Sequence, residues 1–325
     1  MSDIHIRANR QSRDPVLEPL IESARTKCAR ALGGPLAGAG ESLRSAGIDA
    51  GARRELLRSL WRDGRYPAAL AVAVREARAR TDAPGAFLFE RRLLVEESLA
   101  ALGRLDGLPV PASVKACLCR EFDFFAEPPE DQLSQFDPLL YPARAYAAIA
   151  ILERFPAGQL SWERDGLPRS WLLRARLRDA PGLLRAAALG LKGFRPAFCA
   201  HVTVHRGRIP VLMERACKIS FWRIAQALRM QPEVRGIVTS SWLYDPQTCG
   251  VSPHLAWMRS LFLENGGALA DIGEAPSGSG FLEGNLRRRQ LFIAGEYTPR
   301  EYAAVWPRRA VIDWAARHPE FSAEP

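Results

Sequence analysis

The chain has 325 residues, 47% of them hydrophobic and 25% charged, a globular balance with enough length for two cores. Its net charge is +9 and its pI about 9.6, but only four lysines are present, and the arginines that carry the rest are scattered along the whole chain. That dispersal argues against a nucleic-acid-binding stripe; the polar opening MSDIHIRANRQSRDP and the absence of any apolar run of spanning length argue against a signal peptide and a membrane, so a cytoplasmic protein is expected.

Residues 1–14 read as a flexible arm. Pro15 opens a helix with Leu17, Leu20, Ile21 and Ala24 on one face, and the four glycines of GGPLAGAG (33–40) end it. A helix over 53–62 carries Leu56, Leu57, Leu60 and Trp61 and stops at Asp63-Gly64. Further helices are predicted over 68–80 and over 87–102, the latter with a stripe of Phe87, Leu88, Leu94, Val95, Leu99 and Leu102. Pro111-Ala112-Ser113 opens another, with Val114, Cys117, Leu118, Phe122 and Phe125, and 141–155 is an alanine-rich helical stretch. Residues 15–157 therefore read as a helical domain with short connections.

The pattern changes near Pro156-Ala157-Gly158. QLSWER (159–164) predicts a short strand, 167–177 fits strand or helix, and LLRAAALGL predicts a helix. From 198 to 273 period-two and helical-period segments alternate, as in an α/β unit, and strand-end loops are where such units place chemistry. EAPSGSG (274–280) is a loop, 281–294 a helix closed by Gly295. Thr298-Pro299-Arg300-Glu301 has the spacing of a capping box and predicts one more helix, restarted at Trp306-Pro307 and closed at His318-Pro319. The fold class expected is α+β, a helical domain followed by a mixed-sheet domain (158–325) with C-terminal helices.

Four clusters carry candidate chemistry. In HVTVH, the β-branched residues between His201 and His205 predict a strand, where the two rings share a face but stand roughly 13 Å apart, too far for one metal. His205, nearer the following loop, is placed for a general base, although a satisfied core histidine is the simpler use of such a strand. Arg206, Gly207 and Arg208 lead to a helix N-terminus, where free amides and the dipole favour an anion; Pro210 removes one donor. SSWLYDP (240–246) offers Ser240, Ser241, Tyr244 and Asp245 at a strand end, against the plainer reading of Asp245-Pro246 as a turn and Trp242 as core. Ser252, Pro253 and His254 have the look of N-cap, N1 and N2 of a helix. The six cysteines form no C-x-x-C pair, and no P-loop, nucleophile elbow, H-E-x-x-H or deaminase signature is present, so no metal is expected.

The order strand, arginine-glycine loop, helix, strand, helix, strand over 198–273 resembles the Gcn5-related N-acetyltransferase (GNAT) superfamily. SWLYDP is similar to the SWLLDP-type segment of some GNAT-like acyltransferase domains, and LFLENGGALADIG to the family's helix–glycine–strand ending. The Q/R-x-x-G-x-G/A loop is incomplete. The resemblance implies an acyl-CoA-dependent N-acyltransferase acting on the amine of a small molecule or peptide. It implies that Arg206, Gly207 and Arg208 hold acyl-CoA, that His205 or Asp245 is the base, and that Tyr244 is the acid, with Ser241 beside them. His201, Trp242, Ser252 and His254 would face the amine. The alternative is a non-enzymatic interaction scaffold whose helical half docks a partner.

Overall fold

The computed structural model describes residues 15–81, 85–203, 212–276, 280, 282 and 285–322. The chain divides into two units, one up to Pro156 and the other from Ala157.

The first unit is helical: α1 (Leu17–Gly33), α2 (Ala37–Ser45), α3 (Ala50–Asp63), α4 (Ala71–Thr81), α5 (Leu88–Leu102), α6 (Ala112–Ala126) and α7 (Tyr141–Ala150), followed by a three-residue strand, β1 (Arg154–Pro156). The boundaries of α3 have local causes. The Asp49 carboxylate accepts the Ala52 amide at 2.8 Å, and Gly64, left-handed at φ 67°, donates back to the Leu60 carbonyl. Helix α5 packs against all six other helices. It is therefore buried nearly all round, through Phe89, Leu93, Leu94 and Val95, where the sequence predicted a one-sided stripe. Full burial of a side chain such as Phe89 contributes about 1.5–3 kcal/mol.

Burying α5 also buries charge, and each charge is answered. Glu90 is held by Arg78 and by the Tyr66 hydroxyl at 3.3 Å; Glu97 takes Arg54 at 3.2 Å. The Arg92 guanidinium donates to the carbonyls of Leu32 and Leu36 at 2.9 and 3.2 Å, closing the C-terminus of α1. This corrects the reading of GGPLAGAG as a plain break. Gly38 and Gly40 lie inside α2, and a Cβ on Gly40 would come within 2.7 Å of the Arg92 guanidinium. The glycine is a close-approach site, which composition alone registers only as a helix breaker. The stretch 141–155 is also shorter in helix than expected. Leu152 turns to φ 61°, and buried Arg154 lies against Trp61 and Tyr141, its guanidinium 4.7 and 5.8 Å from their ring centres.

The second unit contains β2 (Leu160–Asp165), α8 (Arg169–Arg174), α9 (Ala180–Arg185, prolonged by a π turn to Gly190), β3 (Ala197–Val202), α10 (Glu214–Met230) and β4 (Gly236–Ser241). It continues with α11 (Pro246–Val251), α12 (Ala256–Glu264), β5 (Ala268–Glu274), α13 (Leu286–Ile293), β6 (Arg300–Pro307) and α14 (Arg308–Arg317). Its strands run in the order β2-β3-β4-β6-β5. β3 and β4 are parallel; the other pairings are antiparallel. The protein is thus α+β.

The predicted capping box is the clearest correction. Residues 300–307 are not a helix but β6, inserted between β4 and β5. Tyr302, Ala304 and Trp306 alternate with Ala303 and Val305, and all five are buried, as suits a strand covered on both faces. Pairing on two sides outweighs a local cap. One sheet face packs Val238, Ala303, Val305, Ala270 and Ile272 against Leu167, Trp171, Leu183 and Leu191. On the other, Trp306 meets Phe221 of α10, Phe262 of α12 and Trp314 of α14, at centroid distances of 5.7, 5.1 and 5.3 Å.

No helix among the described residues is long and apolar enough to cross a membrane.

Candidate functional site

Strands β3 and β4 are parallel neighbours, and they part early. Register holds at Phe198–Ile237 and Cys199–Val238, whereas β4 and β6 stay paired from Gly236 to Ser241. Beyond Cys199 and Val238 the two strands run on as far as Val202 and Ser241 without further registered pairs.

Period two places His201 and Ser240 on the same sheet face as Cys199 and Val238, one on each side of the parting. Each belongs to a polar group. On β3, the His201 Nε2 is 3.0 Å from a Glu163 carboxylate oxygen on β2, and Glu163 is the cross-strand partner of Cys199. On β4, the Ser240 hydroxyl donates to Glu301 Oε1 at 2.7 Å, and Glu301 Oε2 takes Arg174 at 3.1 Å. Glu163 and Glu301 stand 138 residues apart in the chain, so its order carried no signal for this face.

The segment SSWLYDP is used mostly as framework. The Ser241 hydroxyl accepts the Leu243 amide at 3.1 Å. Trp242 is buried with the Arg288 guanidinium 4.8 Å over its ring. Tyr244, 3% exposed, packs edge-on against Phe262 at 5.2 Å. Burial pushes its phenol above the ordinary tyrosine range, only partly offset by a hydrogen bond with Thr239. Asp245, 2% exposed, caps α11 by accepting the Gln247 amide and also accepts the Arg300 amide, both at 3.0 Å. Burial raises its carboxyl, and those two amides pull it back.

Ser252 and Pro253 take the predicted N-cap and N1 positions of a 3-10 turn and not of α12, and the Ser252 side chain makes no capping bond. Its hydroxyl is buried and accepts from the Arg288 guanidinium at 3.0 Å, and a single 3-10 turn (Pro253–Leu255) stands between it and α12. His254 is exposed on that turn. His205, Arg206, Gly207 and Arg208 lie outside the described residues, as do Ser277 and Gly278 of the SGSG loop and much of the approach to α13; that helix begins at Leu286, where the Asn285 side chain accepts the Arg288 amide at 2.9 Å.

A second network ties β5 and β6 to the segment that follows α8. Asp271, wholly buried, takes Arg300 at 2.5 Å and Arg176 at 2.9 Å. Burial alone would raise its carboxyl, but Arg300, the Gly273 amide and Arg176 together hold it below the usual carboxylate range. The burial of Cys28, Cys119 and Cys217 pushes their thiols up to about 12, leaving Cys199 and Cys249 as the half-exposed sulfurs.

No family model, curated protein or solved structure matches the chain.

Proposed function

We propose that the chain is an acyl-CoA-dependent N-acyltransferase that acts on the amine of a small molecule or peptide. The observation that carries this reading is the early parting of the parallel pair β3 and β4. Strand edges that are no longer laddered to each other can take the amide-bearing pantetheine arm of acyl-CoA as a strand-like insert. The 17-residue helix α10 lies between the two strands in the chain, and a helix start of that kind favours phosphate. Arg206, Gly207 and Arg208 precede that helix and supply the charge for the pyrophosphate.

In the reaction the free amine attacks the thioester carbonyl, the amide bond forms and the C–S bond breaks. His205 takes the amine proton and, as imidazolium, passes it to the departing CoA thiolate. Orientation of the two substrates and backbone amides facing the carbonyl oxygen supply most of the acceleration. The Ser240–Glu301–Arg174 group lies on one side of the parting and offers the amine a polar, charge-balanced wall. Tyr244 and Asp245 support the wall behind it.

Calorimetric titration with acetyl-CoA and a longer acyl-CoA tests the proposal. One-to-one binding is expected, weakened about tenfold or more when Arg206 and Arg208 are both replaced by alanine, since each guanidinium–phosphate contact is a charge-assisted bond. Absence of binding by every acyl-CoA would sink the enzyme reading and leave the interaction scaffold.

A further inference from the structure

The face of β2 and β3 holds a donor set of which the acyl-transfer reading uses only His201, as a contact to the amine. Glu163, Cys199 and His201 each present one ligand atom, and the three atoms lie within 4.8 Å of one another. They are brought together by the antiparallel register of β2 and β3, which is continuous from Leu160–Val202 to Asp165–Ala197. Cys199 and His201 are two residues apart on one strand and so share a face, and Glu163 stands directly across from Cys199.

We propose that Glu163, Cys199 and His201 form a zinc-binding site. A four-coordinate zinc ion takes sulfur at about 2.3 Å and nitrogen or oxygen at about 2.0–2.2 Å, which sets its ligands roughly 3.3–3.6 Å apart. His201 Nε2 and the Glu163 oxygen are already at 3.0 Å, so the cation replaces the proton between them and needs only small side-chain adjustments. The charges match, because a thiolate and a carboxylate neutralise a divalent ion and the imidazole adds none. The chemistry also selects the metal. Sulfur and nitrogen donors exclude magnesium and calcium, which want oxygen shells, and favour the borderline-soft zinc ion.

The site is also reachable and stiff. The side chains of His201 and Glu163 are 27% and 17% exposed, leaving an entry path and room for a water as fourth ligand. All three ligands stand on paired strands, which hold a constellation more tightly than loops do. None of this depends on acyl-CoA, so the site and the proposed activity stand or fall separately.

The experiment uses the full chain, stripped of metal with a chelator, and titrates it with zinc chloride and with cobalt(II) as a spectroscopic substitute. One equivalent should bind, and cobalt should give the intense near-ultraviolet band of a thiolate ligand. Zinc should also protect Cys199 from iodoacetamide. Cys199→Ser should abolish the cobalt band, and Glu163→Gln and His201→Ala should each weaken zinc binding by about tenfold or more, the scale on which even outer-shell changes act. Cys249→Ser should change neither, and the melting temperature of each variant shows that it is folded. The proposal is overturned if no zinc binds, or if zinc binds with equal affinity to the folded Cys199→Ser and Glu163→Gln variants. Selective uptake of magnesium or calcium at these residues would overturn it as well.

Discussion

Single residues in this chain act mainly through burial and pairing. Asp271 shows it most directly: enclosed on β5, it keeps its negative charge because Arg300 and Arg176 reach it. A carboxyl whose folded-state pKa is lowered stabilises the fold above its unfolded value of about 3.9, and that stabilisation is lost as pH falls through the lowered value. Asp245 acts in the opposite sense. Its carboxyl is raised by burial, so its ionisation costs stability and its protonation at low pH favours the fold. Asp271→Asn should therefore lower the melting temperature at neutral pH, where two arginines lose their partner. The gap from the parent protein should narrow between about pH 5 and pH 2. A gap constant with pH would show that Asp271 contributes no ionisable charge to stability.

At the scale of elements, the stretch after Gly295 shows how tertiary pairing overrules a local signal. Thr298 and Glu301 have capping-box spacing, but Glu301 is spent on Ser240 and Arg174, and Thr298 is exposed before β6. Thr298→Ala should thus change stability by no more than about 0.5 kcal/mol, as for an ordinary surface position. A lost cap would cost about 1 kcal/mol. Ala304→Pro should prevent folding of the second unit, since Ala304 pairs with Thr239 on one side and Leu269 on the other. Chemical denaturation followed by circular dichroism measures both. A destabilised Thr298→Ala protein, or a folded Ala304→Pro protein, would contradict the strand.

For the molecule as a whole, the structure explains what its arginines are for. Arg53, Arg54, Arg58, Arg78 and Arg92 pair with glutamates of the first unit. Others close helix ends or loops by donating to backbone carbonyls: Arg91 to Ala126, Arg144 to Trp61, Arg223 to Ala157, and Arg308 to Gln231 and Val234. Among the described residues much of the positive charge is spent in this way, and no polyanion groove is expected. Binding to single-stranded oligonucleotides should accordingly be weak at physiological salt, with a shallow dependence of log K on log salt. A steep slope, as several phosphate contacts would produce, would count against this account.

By itself the sequence determined the helical first part, the change of character near Pro156, a short strand about 159–164 and the alternation of strand and helix over 198–273. Those features follow from periodicity, proline and glycine punctuation and composition, all of which act over a few residues. It had no means of showing that residues 300–307 are a strand, that Gly40 makes room for Arg92, or that His201 meets Glu163. Each of those depends on a neighbour distant in sequence: the flanking strands of β6, an arginine on α5, a carboxylate across the β2–β3 ladder. Tertiary structure decided them because burial and cross-strand pairing are worth more than the local preferences they displace.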